Sequence, residues 1–229
     1  MNEPLFEHRG FAVHLCTDKR SLGEAFALRY RAYKTLDDAV QMDDELELFY
    51  DGLDFLAHTR TYLVRLDGKP VASVRSCIWS DAYDWAPNES SRYVAGDLKR
   101  EFGAETRLLE SNRYVVAPEL QGRSSLFAQI LLFKAHALAS IVAECEHIIT
   151  LVRPRHVRFY ERMLGFRPAS EPTPLSSFDC SVVLLTATRD HSLEVATSKG
   201  MPPCSADEVE RFARACGGPK SENSQGETR

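Results

Sequence analysis

The sequence predicts an α/β domain in which one mixed sheet is covered by helices on both faces. Strands and helices alternate along the chain around one tight hairpin. Residues 147–153 (HIITLVR) are apolar almost without a break, as in a strand buried on both sides. With 229 residues, 44% of them apolar and 10% aromatic, the chain can fill one core, and the 12 glycines and 11 prolines are too few for a low-complexity or collagen-like class.

The elements follow in order. FAVHLCT (11–17) alternates as a first strand and ends at Asp18. Ser21 and Glu24 have the spacing of a capping box, and Leu22, Ala25, Phe26, Arg29, Tyr30 and Tyr33 recur at helical spacing behind them. Residues 37–54 carry eight acidic side chains and no lysine or arginine, a solvated face or loop by default. TRTYLVRL (59–66), Asp67-Gly68 and PVASVRSCIW (70–79) form a hairpin, because Asp-Gly accepts the positive φ of a short turn.

Residues 80–105 read as an irregular insertion with one short helix near 97–102. RLLESNRYVVA (107–117) is the next strand, stopped by Pro118, and a long helix runs from about Ser124 to Glu144. After the 147–153 strand, PRHVRFYERML (154–164) starts with proline in its first turn and stops at Gly165. Phe178 to Ala187 is the last strand of a domain spanning 1–187. Residues 188–229 are expected to be an appendage, with one short helix capped by Ser205 and Glu208 and a polar, disordered end.

Composition excludes several functions. Lys plus Arg number 28 against 33 Asp plus Glu, so there is no global attraction to nucleic acid or to an anionic membrane. The N-terminus lacks the apolar run of a secretory signal, and Leu126 to Ala143 is broken by Gln129, Lys134 and His136; a cytoplasmic protein without a membrane span is expected. Cys16, Cys77, Cys145, Cys180, Cys204 and Cys216 are scattered, which reads as free thiols, and no His or Cys spacing suits a metal. The seven histidines have no readable triad partner.

Three stretches carry candidate chemistry. VVAPELQGRSSL (115–126) is a strand turning through Pro118 and Gly122 into a helix whose free N–H groups suit a phosphate. RFYERMLGF (158–166) sets Tyr160 one turn from a helix end. LLESNRYVV (108–116) holds Glu110 and Arg113 at opposite strand parity inside an apolar run. Arg29 lies on the apolar stripe of its helix, and Arg75 and Arg113 lie in apolar strands, so each needs an anion; Asp51, Asp54 and Glu110 supply them. Two readings stay open: a structural ion-pair network between helix and sheet, or a polar pocket that fixes an amino acid by its carboxylate.

In this order, the central strand, the V-x-P-x-x-Q-G turn and the Phe159-Tyr160 to Gly165-Phe166 close resemble the GNAT acyltransferase superfamily over roughly residues 10–187. Arg29-Tyr30-Arg31-Ala32-Tyr33, the Tyr50-Asp51 pair, Arg75 and Glu110-Ser111-Asn112-Arg113 are similar to the acyl-homoserine lactone synthase and long-chain N-acyl amino acid synthase branch. Leu48 stands where the lactone synthases carry an aspartate, which favours the amino acid synthases.

The resemblance implies a GNAT-like fold with a mixed, mostly antiparallel central sheet. It also implies transfer of a fatty acyl group from acyl carrier protein to the amine of an amino acid or related small amine. Glu110 would be the base, and Val115 and Val116 backbone groups would align the pantetheine arm and polarise the carbonyl. Gln121, Gly122, Arg123 and Ser124 would hold the phosphate, and Tyr160 would protonate the leaving thiolate. Arg29, Asp51, Arg75 and Arg113 would bind the acceptor. Ser124-Ser125-Leu126 replaces the small residues of a CoA-type loop, which suits a single phosphopantetheine phosphate. No tightly bound cofactor is expected, with acyl-phosphopantetheine or acyl-CoA as co-substrate. Residues 153–167 hold five arginines and one glutamate, either a solvated face or, around Arg155, Arg158 and Arg162, a docking helix for the acidic carrier protein. The alternatives are an acetyl- or acyl-CoA-dependent GNAT N-acetyltransferase, or a non-catalytic acyl-binding domain.

Overall fold

The computed structural model describes residues 3–36, 42, 44–80, 100, 102–103, 106–120, 122–175 and 180–217. Among the described residues, nine strands form one sheet in the order β1-β2-β3-β4-β5-β6-β9-β7, with β8 beside β9. They are β1 Phe6–His8, β2 Phe11–Leu15, β3 Thr59–Leu66, β4 Lys69–Trp79, β5 Leu108–Val116, β6 His147–Val152, β7 Arg167–Pro168, β8 Thr173–Leu175 and β9 Cys180–Thr188. Neighbours are antiparallel except β5 and β6. The helices are α1 Lys19–Lys34, α2 Gly122–Val142, α3 Val157–Leu164, α4 Arg189–Ser198 and α5 Ala206–Ala215.

Helix α1 is capped three residues earlier than the sequence suggests. Asp18 accepts from the Ser21 N–H at 2.8 Å, while Glu24 turns away to pair with Arg65. A carboxylate held in this half-buried ion pair is not available to cap. The Asp67-Gly68 turn has φ of 49° and 77°, as a tight two-residue hairpin requires, and Gly165 closes α3 at φ 68°. The helix expected near 97–102 falls mostly outside the described residues.

One face of the sheet carries α1, with Ala25 and Leu28 packed on Leu63, Val115 and Ala117. The other carries α2, whose Ala128, Leu131, Leu132, Ala135 and Leu138 meet Tyr62, Val64, Val74, Leu109, Ile148 and Leu185. Helix α2 is long and apolar enough to cross a membrane, but it packs across the sheet, and a core helix passes the same test. All six cysteines are free thiols.

Residues beyond 188 depart from the expected appendage. There are two helices rather than one, and both pack on the main core. Phe212 of α5 is 1% exposed, and Val209 and Cys216 join the same cluster. Their spacing is a helical stripe that packs on the main core beside the middle of α2, where Lys134 meets Glu208 at 2.6 Å. The polar end after 217 lies outside the described residues.

Candidate active site

The site forms where the parallel pair parts. β5 and β6 pair only from Leu108↔His147 to Ser111↔Thr150. Immediately beyond, β5 is bulged: Arg75 faces Asn112, but Ser73 faces Val115, so Val74 stands opposite two residues. Arg113 absorbs the extra residue at φ 54°. The bulge turns β5 away from β6 and opens a cavity of about 270 Å³ between them, lined by Glu110, Arg113, Thr150, Arg153, Arg155 and Tyr160 among others.

The bulge also overturns the parity read from the sequence. An unbroken strand would put Glu110 and Arg113 on opposite faces; the extra residue returns Arg113 to the face of Glu110 and Asn112. Arg113 then reaches Asp51 through Nη2 at 2.7 Å and Nε at 3.2 Å, with its guanidinium over Phe49 at 5.0 Å. Glu110 is 2% exposed and accepts a hydrogen bond from the Trp79 indole at 2.8 Å.

Behind the cavity, charges alternate without a gap. Arg29 pairs with Asp54 at 2.7 Å, Asp54 with Arg75 at 2.9 Å and Arg75 with Asp51 at 2.6 Å, while Arg75 Nε donates to Asn112 at 2.6 Å. Asp51 also accepts from the Leu53 N–H at 2.9 Å, which starts the 3-10 turn Gly52–Phe55. Burial pushes the Asp51 carboxyl up, but the hydrogen bonds and charges of Arg75 and Arg113 more than offset it and hold it well below the carboxylate range.

Four of the five expected polar residues, Arg29, Asp51, Arg75 and Arg113, therefore form one chain of ion pairs, and Glu110 stands beside its open end. Their distances from the cavity differ. Arg113 and Glu110 line it; Arg29, fully buried, and Arg75, 1% exposed, lie behind it and brace the side chains that do. The ion-pair network and the polar pocket are one structure, buried at one end and open at the other.

The strand and turn residues divide as well. Ala117 N–H donates to the Val71 carbonyl at 2.8 Å, on the β4 side. Strand alternation then turns the Val116 backbone toward the open edge and the Val115 backbone toward β4, while the Val115 side chain packs under α1. Gly122, at φ 64°, begins α2, with exposed Arg123 and half-buried Ser124 in the first turn. Gln121 lies outside the described residues. Tyr160 lines the cavity, and burial raises its phenol well above the ordinary tyrosine range. Arg155, Arg158 and Arg162 are exposed, Arg155 at the cavity wall and the other two one turn apart on α3.

Sequence reasoning missed Trp79, the donor to Glu110, and Phe49 and Tyr33, which meet edge-on at 4.8 Å beside Arg113. Aromatic residues in strands and helices read as core, and nothing in their spacing separates a cavity wall from a packed interior.

The profile of the family described as N-acyl amino acid synthase FeeM matches residues 24–188, which include every element around the cavity. The chain belongs to the FeeM N-acyl amino acid synthase family. It is accordingly an acyltransferase of the GNAT fold. The fold is similar to FeeM from uncultured soil microbes, at 11% identity and a TM-score of 0.67 over 81% of this chain and 93% of that one. It is also similar to the lactone synthase LasI, at 18% and 0.61 over 84% and 96% of the two chains. BjaI, a CoA-dependent acyl-homoserine lactone synthase solved with SAM and isopentyl-CoA, aligns at 17% and 0.59 over 90% of this chain and 100% of its own. No curated protein sequence matches.

Proposed function

We propose that this FeeM-family enzyme moves a fatty acyl group from the phosphopantetheine thioester of an acyl carrier protein to the α-amine of an amino acid. The observation that carries the reading is the β5 bulge, which brings a buried carboxylate, Glu110, and a cation, Arg113, to one wall of the cleft between β5 and β6. An amino acid whose carboxylate meets Arg113, with Arg153 and Arg155 nearby, presents its amine toward Glu110.

The amine reaches the site as an ammonium and cannot attack until it loses a proton. Glu110 takes that proton, and the neutral nitrogen adds to the thioester carbonyl. The outward N–H of Val116 stabilises the oxyanion, as a fixed backbone donor does. Collapse of the intermediate forms the amide and expels the pantetheine thiolate, which Tyr160 protonates, while the second proton leaves the nitrogen through solvent and restores the phenol; burial keeps this phenol protonated at neutral pH, as a proton donor must be. The first turn of α2, with Arg123 and Ser124, meets the phosphate. Arg155, Arg158 and Arg162 dock the acidic carrier protein beside the cleft.

The test is product formation by purified enzyme given a pooled amino acid mixture and either acyl carrier protein or CoA thioesters. Acyl-amide from the carrier protein thioester alone is the expected result. Equal turnover with CoA thioesters would reassign the donor, and thioester binding without amide formation would leave an acyl-binding protein.

A further inference from the structure

A second, apolar cavity of about 30 Å³ lies on the α2 face of the sheet, directly under the cleft. Ser111, Thr150 and Tyr160 line both spaces, so a chain leaving the cleft through this floor would enter this one. Its walls include Phe133, Leu164, Phe166, Leu193 and Met201. One of the polar wall groups has an unanswered atom. His136, on α2, is 5% exposed, lines this cavity, and has no hydrogen-bond partner for Nε2. Buried polar atoms without partners are rare and mark a missing ligand or water.

The position of the ring narrows what that partner can be. It lies within hydrogen-bonding range of the Arg75 backbone, and Arg75 faces Asn112, the residue after Ser111. His136 therefore lies level with Ser111, which lines both spaces. A volume of about 30 Å³ takes roughly two water-sized groups, which corresponds to the first few atoms of a chain beyond the thioester. Acyl thioesters built by condensation of two-carbon units carry their oxygen on the third carbon. Burial lowers the imidazole pKa to about 3, so the ring is neutral and offers one donor and one acceptor nitrogen. A hydroxyl can answer either.

We propose that His136 Nε2 binds the hydroxyl of a 3-hydroxyacyl chain, which makes 3-hydroxyacyl thioesters the preferred donors. This rests on the acyl-transfer reading above. A site built to hydrogen-bond a substrate hydroxyl rejects the analogue that lacks it, because the protein group is then left buried and unpaired.

The experiment compares matched 3-hydroxyacyl and unsubstituted acyl pantetheine thioesters of one chain length, by calorimetric binding and by turnover with the amino acid mixture. Wild-type enzyme should favour the hydroxylated thioester at least tenfold in both. In His136→Leu the ratio should fall to near one, and His136→Gln, which keeps a polar group there, should retain part of it. Equal affinity and turnover of the two thioesters in wild-type enzyme, as expected if only water occupies Nε2, overturns the hydroxyl site and leaves acyl transfer standing. Failure of both thioesters to bind removes the acyl-transfer reading and this one together.

Discussion

At the scale of single residues, the site is a buried carboxylate beside a row of paired charges. Glu110→Gln keeps the shape and the capacity to accept from Trp79 but cannot take a proton, so kcat should fall at least about tenfold with the melting temperature unchanged. Stopped or steady-state kinetics with a thermal melt checks this, and full activity would remove Glu110 from the mechanism. Asp51 makes a prediction of opposite kind. Its folded pKa is depressed, so its contribution to stability is complete above the unfolded value of about 4 and disappears as pH falls further toward the folded value. Asp51→Asn should therefore be destabilised by roughly 3 kcal/mol at pH 7, since Arg75 and Arg113 lose their shared anion, and the gap from wild type should narrow below about pH 4. Denaturant titrations across pH measure it; a gap constant down to pH 2 would contradict the assignment.

At the scale of elements, α3 and the 3-10 turn Pro154–His156 before it present two different faces. Tyr160 and Arg155 stand at the cleft, and Arg158 and Arg162 are exposed one turn apart on α3. Reversing charge in Arg158→Glu with Arg162→Glu, both outside the cavity lining, should raise the carrier protein KM several-fold and weaken its salt dependence, with far less effect on kcat at saturation. Unchanged kinetics over a salt series would discard this face as the docking surface. The β5 bulge is the other element that shapes the candidate site. One extra residue both opens the cleft and aligns Glu110 with Arg113, so the cavity and its charges share a single backbone cause.

At the scale of the molecule, the helices after β9 belong to the fold. Phe212 packs its ring 5.7 Å from that of Tyr62, and Tyr62 stands in the sheet opposite α2. Phe212→Ala should cost about 3–5 kcal/mol, as large aromatic deletions from a core do, and lower the thermal midpoint accordingly. A melt within a degree of wild type would show α5 to be the separable appendage that its polar surroundings suggest.

Local pattern was enough for much of this. Strand alternation, the Asp67-Gly68 turn, the Gly165 stop and the apolar 147–153 run determined the mixed α/β class and the succession of the main elements along the chain, because each depends on backbone chemistry within a few residues. The need of Arg29, Arg75 and Arg113 for anions was legible for the same reason: a guanidinium in an apolar stretch must be paired wherever it ends up. Tertiary structure alone decided which acid each one meets, which of them reach the cavity, and that Glu110 and Arg113 share a face. A bulge is a mismatch between two strands, set by what β4 presents to β5, so neither strand's sequence read alone contains it.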